Sequence, residues 1–286
     1  MTGTGVMKVG FIGAGRMGAP MVDRLAAAGH DVTVFVRRPE GRARFEGQGL
    51  RCAATLPEVA ADADVVFVVV LNDEDVRSVC LGAAGVLGAM RAGSTLVQHT
   101  TCAPTTVELV ADEATPRGVL VLDAALSGST ADISAGKLTL WVGGDNAVLS
   151  KLAPVLETYA SPIMFVGRIG NGQRVKLINN GLFVSHVGLA VEAVRVAATL
   201  GIDERAILAS VQQGSGASYG LSLVASLGSV DAVGDRLGDL MLKDVTVLRQ
   251  TVKRENTDLG VIGAILSSDV VERQVLRSGT TAGEGR

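Results

Sequence analysis

The chain has 286 residues, 26 of them Lys or Arg and 29 Asp or Glu, which leaves a formal charge of −3. A balance this close to neutral gives no electrostatic case for nucleic acid or an anionic membrane surface as a partner. Hydrophobic residues at 48% exclude disorder over most of the length, and the length allows one or two domains.

In chain order, Lys8–Ile12 reads as a short buried strand and Arg16–Ala28 as a helix stopped by Gly29. Val32–Val36 is a second strand, followed by a helix from about Pro39. Thr55-Leu56-Pro57-Glu58 has the form of a capping box, with Thr55 as N-cap and Glu58 three residues on. Asp64–Leu71 is almost wholly β-branched or aromatic, as in a strand covered on both faces. Thr95–His99, Val119–Asp123, Lys137–Val142 and Ile163–Val166 follow as strands. Their alternation with helices predicts a parallel sheet with helices on both faces.

The pattern changes near Gly167. Asn171–Gly201 reads as one proline-free helix of roughly 40 Å at 1.5 Å per residue. Helical segments Asp203–Gln213, Leu237–Glu255 and Leu259–Leu276 come after it, and no strand. The tail from Ser278 is small and polar and is expected to fray. The predicted fold class is α/β: a doubly wound sheet domain over residues 5–167, then a long connecting helix and an all-α domain within 168–286.

Gly13-Ala14-Gly15-Arg16-Met17-Gly18 sets Gly-x-Gly-x-x-Gly between the first strand and the first helix. Gly13 permits the tight turn, Gly15 lets backbone approach a pyrophosphate, and Gly18 lets helix and strand pack closely. The pyrophosphate would then lie against unpaired N–H groups at the positive end of the helix dipole. This is the Rossmann dinucleotide pattern. An NAD-binding chain places an acid at the end of the second strand to hold the ribose 2′-hydroxyl. Here that place reads Phe35-Val36-Arg37-Arg38-Pro39, and two permanently charged forks suit a 2′-phosphate. NADP is the expected cofactor, with NAD possible.

Gly10–Met21 (GFIGAGRMGAPM) resembles the opening signature of the β-hydroxyacid dehydrogenases, the group of 3-hydroxyisobutyrate dehydrogenase and tartronate semialdehyde reductase. Asp123–Leu138 resembles that family's substrate loop, Gly170–Asn180 its catalytic-helix motif, and Leu240–Asp244 its C-terminal cofactor-proximal motif. The resemblance covers about Val6 to Leu276. It implies a 6-phosphogluconate dehydrogenase-type fold and a catalytic lysine at Lys176, with Asn180 holding the substrate. It further implies a carboxylate grip at Ser127 and Gly128, and a lysine closing over cofactor and substrate at Lys243, with Asp244 beside it. Cofactor contacts are implied at Thr101 and at Leu71, which is read as the end of its strand, with Asn72 next to it. The chain departs from the family loop Asp-Ala-Pro-Val-Ser-Gly-Gly at Ala125, in place of proline, and at Ser129, in place of the second glycine. Ser129 is read either as loosening the grip or as adding a hydroxyl contact.

The residues support this chemistry independently. Lys176 and Asn180 stand at i and i+4, on one helical face that Phe183 and Val187 continue. A lysine facing a packed interior would have a lowered pKa and could exchange a proton near neutral pH. His99 is read chiefly as a strand-end structural residue, with a cofactor contact as the alternative; His186 is read as facing elsewhere, and His30 lies in a turn. Cys102 is read as a small buried filler. Asp73, Glu74 and Asp75 suit a helix N-terminus and not a metal site.

The longest apolar run, Val65–Leu71, is far short of the roughly 20 residues of a membrane-spanning helix. No secretory signal is read at the start, and three scattered cysteines make neither a disulfide framework nor a metal site. A cytoplasmic setting is therefore expected, with a small hydroxy acid or semialdehyde as partner and a homodimer or homotetramer as assembly. The leading reading is an NADP-dependent oxidoreductase of small 3-hydroxy acids. The alternatives on the same frame are an imine reductase and a catalytically silent nucleotide-binding module.

Overall fold

A computed structural model of the chain describes residues 5–276. The chain divides into two compact units, Met1–Lys176 and Leu177–Arg286, with the break inside the long helix.

The first unit is built in chain order from β1 (Lys8–Ile12), α1 (Gly18–Ala27), β2 (Asp31–Phe35), α2 (Pro39–Gly47), β3 (Arg51–Ala53), α3 (Leu56–Ala60), β4 (Val65–Val68) and α4 (Asp73–Cys80). There follow β5 (Thr95–Gln98), α5 (Pro104–Ala114), β6 (Leu120–Ser127), α6 (Thr130–Ser134), β7 (Leu138–Gly143), α7 (Asn146–Leu156) and β8 (Ala160–Phe165). The sheet order is β3-β2-β1-β4-β5-β6-β7-β8. The order reverses between β1 and β4, and a crevice beyond the carboxyl ends of strands at such a switch point is where doubly wound sheets bind ligands.

β1 to β6 run parallel, but β7 pairs with β6 antiparallel, Ser127 opposite Thr139 and Asp123 opposite Gly143. The expected parallel sheet holds from β1 to β6 and is corrected at the β6–β7 pairing. The link over residues 128–137 holds only the short α6, whereas a parallel crossover needs a dozen or more residues. β3 has no counterpart among the predicted strands; it is a three-residue edge strand, too short for a periodic signal. β4 stops at Val68, three residues before the predicted end at Leu71. There the Val70 N–H turns to the Thr100 hydroxyl at 2.9 Å instead of a strand partner. The apolar run outlasts the sheet.

Thr55 does cap α3, accepting from the Glu58 N–H at 3.2 Å, but the Glu58 carboxylate reaches the N–H of Ala54 and not that of Thr55. One apolar cluster, with Phe11, Leu25, Phe67 and Tyr159, fills one side of the sheet; a second, with Ile12, Val66 and Leu96, fills the other.

α8 (Asn171–Thr199) spans the unit boundary. By length and composition it is apolar enough to cross a membrane, at mean hydropathy 1.4, yet half of that window is buried. Val184, Val187, Val191 and Val194 enter the core of the helical unit, which accounts for the apolarity. The second unit adds α9 (Glu204–Val211), α10 (Tyr219–Leu227), α11 (Val233–Arg254) and α12 (Gly260–Leu266). The predicted helix Leu259–Leu276 is in fact broken. Ser268 donates its hydroxyl to the Ile265 carbonyl, a local bond that competes with the helical ladder, and a π turn follows at Val271–Val275. The tail from Ser278 lies outside the described residues.

Candidate active site

A groove of about 830 Å³ opens beyond the carboxyl ends of β1, β2 and β4. Its floor is the turn Gly13-Ala14-Gly15-Arg16; Val36, Arg37 and Arg38 form one wall, and Val69, Val70 and Leu71 the other. Gly13 has φ +91°, and a Cβ there would collide with the Val69 carbonyl. A Cβ on Gly18 would strike the Gly13 carbonyl, so α1 starts in backbone contact with the turn. Nothing lies within 4 Å of the place a Cβ on Gly15 would occupy, so its backbone faces open groove. These are the separate demands that a pyrophosphate cradle makes on its glycines. Arg16, Arg37 and Arg38 are exposed, and Glu40 and Asp75 also border the groove. The residues present fit a dinucleotide.

Of the sequence-predicted cofactor residues, Gly13, Ala14, Gly15, Arg16, Arg37, Arg38 and Leu71 meet in this groove. Leu71 stands 74% exposed beyond the end of β4, which corrects its placement as a strand end. Met17 is the N-cap residue of α1 and packs on the core beneath the turn. The Asn72 side chain caps α4 by accepting from the Asp75 N–H at 2.9 Å, and it does not border the groove. Thr101 lies in the loop after β5, where Thr100 supplies the hydroxyl bond to the β4 loop. Asp73 and its neighbours form the first turn of α4, and Asp73 also accepts from the Ala103 N–H and the Thr106 hydroxyl. Among the described residues no cluster suited to a metal ion occurs.

The substrate loop follows β6. Ser127 ends the strand half-buried, and Gly128 has φ +135°. Ser129 is the N-cap of α6: its N–H and its hydroxyl each donate to Asp132 Oδ2 at 2.7 Å, and its oxygen accepts from the Asp132 N–H. The hydroxyl is therefore engaged in capping, which argues against its reading as an extra substrate contact. These bonds hold the Asp132 carboxyl below its usual range.

A buried polar cluster that the sequence does not announce joins this loop's strand to the start of α8. The Gln173 amide donates to Asp123 Oδ1 at 2.9 Å and to Gln98 Oε1 at 3.2 Å, and accepts from the Cys102 N–H at 3.0 Å. The Gln173 backbone N–H donates to Asp123 Oδ2 at 3.1 Å. Burial pushes the Asp123 carboxyl up to about 6, against the pull of these donors. His99, beside it, is fully buried, with Nδ1 2.6 Å from the Ala124 carbonyl and Nε2 2.9 Å from the Tyr159 hydroxyl. Its ring stacks on Phe67 at 5.6 Å, and burial lowers its pKa to about 4. Its surroundings are structural. Cys102 is a buried filler whose Sγ accepts from Gln98.

Lys176 follows on α8, half-buried, and Asn180 lies one turn further. In the helical unit Asn180 is buried, donating from Nδ2 to Asp244 Oδ2 at 2.5 Å and accepting at Oδ1 from Asn179 at 3.1 Å. Lys243 Nζ lies 3.4 Å from Asp244 Oδ1. Sequence reasoning singles out Lys243 for the cofactor; the helical unit shows it paired to the carboxylate that fixes the Asn180 amide.

Residues 8–167 match the family described as the NAD binding domain of 6-phosphogluconate dehydrogenase. Residues 170–268 match that described as NAD-binding of NADP-dependent 3-hydroxyisobutyrate dehydrogenase. The 2-(hydroxymethyl)glutarate dehydrogenase of Eubacterium barkeri is 30% identical over 98% of this chain and 91% of its own. The 3-hydroxyisobutyrate dehydrogenase of Pseudomonas aeruginosa is 32% identical over 75% and 72%. The solved structure of Mycobacterium tuberculosis 3-hydroxyisobutyrate dehydrogenase with L-serine is similar at TM-score 0.81 and 27% identity, over 91% of each chain. An imine reductase from Myxococcus stipitatus, at TM-score 0.62 and 21% identity over 91% of each chain, shares the fold. Fold and groove thus define a nicotinamide-dependent oxidoreductase. The chain belongs to the β-hydroxyacid dehydrogenase family and is an NAD(P)-dependent 3-hydroxyacid dehydrogenase.

Proposed function

We propose that the protein interconverts a small 3-hydroxy acid and its semialdehyde with a preference for NADP(H), Lys176 acting as acid/base. The observation that carries the cofactor preference is the wall of the groove: Arg37 and Arg38 stand where an acid would hold an unphosphorylated ribose. The bound nicotinamide supplies the carbon that accepts or gives the hydride. Neutral Lys176 Nζ takes the hydroxyl proton in oxidation; its ammonium form returns a proton to the carbonyl oxygen in reduction. Asn180 orients that oxygen. Its amide is pre-set because Asp244 holds one Nδ2 hydrogen and Asn179 occupies Oδ1, leaving the second Nδ2 hydrogen to donate. Ser127 and the Gly128 backbone hold the substrate carboxylate. The Ser129 hydroxyl takes no part, being bound to Asp132. A homo-oligomer belongs to the same reading: Ile178, Leu182, Leu189 and Val196 form an exposed apolar stripe along α8, and light scattering tests it.

The test is the absorbance of reduced nicotinamide with a panel of small hydroxy acids, using wild type, Lys176→Ala and Lys176→Arg. Lys176→Ala should lower kcat by roughly 10²–10⁴, the contribution of a positioned acid or base, and lose the corresponding pH limb. Arginine should not restore it, because a guanidinium stays protonated. A Lys176→Ala enzyme retaining more than about a tenth of wild-type kcat would overturn the assignment.

A further inference from the structure

The first turn of α8 is held by buried hydrogen bonds as well as by packing. The Gln173 amide bonds to three separate places: Gln98 at the end of β5, Asp123 on β6, and the Cys102 N–H in the loop after β5. The Asp123 carboxylate accepts from the Gln173 backbone N–H, and the N–H groups of Gly170 and Gly172 also favour its charged form. A carboxylate on a strand thus acts as the N-cap of a 29-residue helix. A Cβ on Gly172 would lie 2.6 Å from the Trp141 carbonyl and 2.7 Å from that of Asp123, so the turn sits against bare backbone with no slack. Arg174, next in the turn, pairs with Glu108 of α5 at 3.0 Å. Gln98, Asp123 and Gln173 are all buried.

We propose that Gln173 and Asp123 are positioning residues that fix the rotation of α8 about its axis and thereby place Lys176. The proposal rests on the reading of Lys176 as acid/base. Lys176 stands three residues past Gln173, so it lies about 60° round the helix and about 4.5 Å along it. Three bonds to points on different elements fix both coordinates. Packing at Gly172 limits how closely the turn approaches the sheet, and the three bonds add a directional restraint on its roll. A roll of about 20° at a side-chain radius of about 6 Å moves the amine by about 2 Å. A misplacement of about 1 Å is enough to cost on the order of 10²-fold in rate.

Gln173→Met keeps the volume and removes all three side-chain bonds. In the full-length enzyme it should lower kcat by roughly 10- to 100-fold, with hydroxy-acid KM and NADPH affinity changed by less than about threefold. In a Lys176→Ala background the same substitution should change kcat by less than about twofold, because the group being positioned is gone. Multiplicative losses in the two backgrounds, with Lys176→Ala itself slowed by the expected roughly 10²–10⁴, would overturn the positioning role and leave the Lys176 assignment standing. A Lys176→Ala enzyme with more than about a tenth of wild-type kcat would remove both. Should Gln173→Met not fold, Gln173→Glu carries the test between pH 5 and 8. The new carboxyl faces Asp123 on β6 and the Cys102 loop, with the Arg174–Glu108 pair alongside. Neutral, it can keep the Asp123 and Cys102 bonds; ionised, it meets the Asp123 carboxylate with like charge. Its kcat should fall as pH rises, relative to wild type; a profile parallel to wild type would refute the role.

Discussion

Two buried groups beside the sheet should oppose each other in the pH dependence of stability, and Asp123→Asn should expose this. Burial raises the Asp123 carboxyl from 3.8 to about 6, so between those values the folded chain keeps a proton the unfolded chain has lost. That contribution to stability is complete below pH 3.8 and is lost as pH rises through about 6. Burial lowers His99 from 6.5 to about 4, so its contribution is complete above pH 6.5 and is lost as pH falls towards 4. Each shift spans roughly two pKa units, which is on the order of 3 kcal/mol. Across pH 4–6 the two slopes have opposite sign and nearly cancel in wild type. The amide of the Asp123→Asn variant cannot titrate, so only the His99 slope remains. On lowering the pH from 6 to 4 the variant should lose on the order of 3 kcal/mol more than wild type. Urea unfolding followed at Trp141, the single tryptophan, on β7, reports on the sheet unit. Hydrogen bonds lost in the variant add a constant offset to this slope difference, and the test reads the slope alone. Parallel curves from pH 4 to 6 would refute the reasoning.

Three further outcomes are expected. Arg37→Ala should weaken NADPH binding by about 1.5–3 kcal/mol, the range for a bond to a charged group, and leave NADH nearly unchanged; fluorescence titration decides, and equal losses for both cofactors would refute the 2′-phosphate contact. Gly13→Ala puts a methyl onto the Val69 carbonyl at φ +91°, so dinucleotide affinity should fall at least tenfold and Tm should drop, as calorimetry with and without cofactor would show. Ser129→Ala removes the α6 cap and should cost about 1 kcal/mol of stability. Hydroxy-acid KM should move by less than about twofold, and a large KM increase would show that the hydroxyl reaches substrate after all.

Much of the sheet unit is legible in the sequence because its signals are local. β1 is legible to the residue, since an apolar run beside Gly13 can form little else. The glycine turn, the arginine pair and the i, i+4 spacing of Lys176 and Asn180 are likewise fixed over a few positions. The antiparallel β7 is not legible, because strand direction depends on how much chain links two strands and where it crosses. The end of β4 is hidden for a related reason: Val69, Val70 and Leu71 are as apolar as the strand but line a groove.

Sequence alone determined the α/β order, the change to helix near Gly167, the dinucleotide turn and the candidate lysine, all of which rest on short-range patterns. Only tertiary structure decided what the polar side chains do. Gln98, Asp123 and Gln173 are far apart in the chain and carry no shared motif, yet they share one buried cluster. Asn180 on α8 and Asp244 on α11 likewise meet across 64 positions of chain. A hydrogen bond reaches about 3 Å, so its partner is chosen by the folded neighbourhood, which spacing along the chain does not specify.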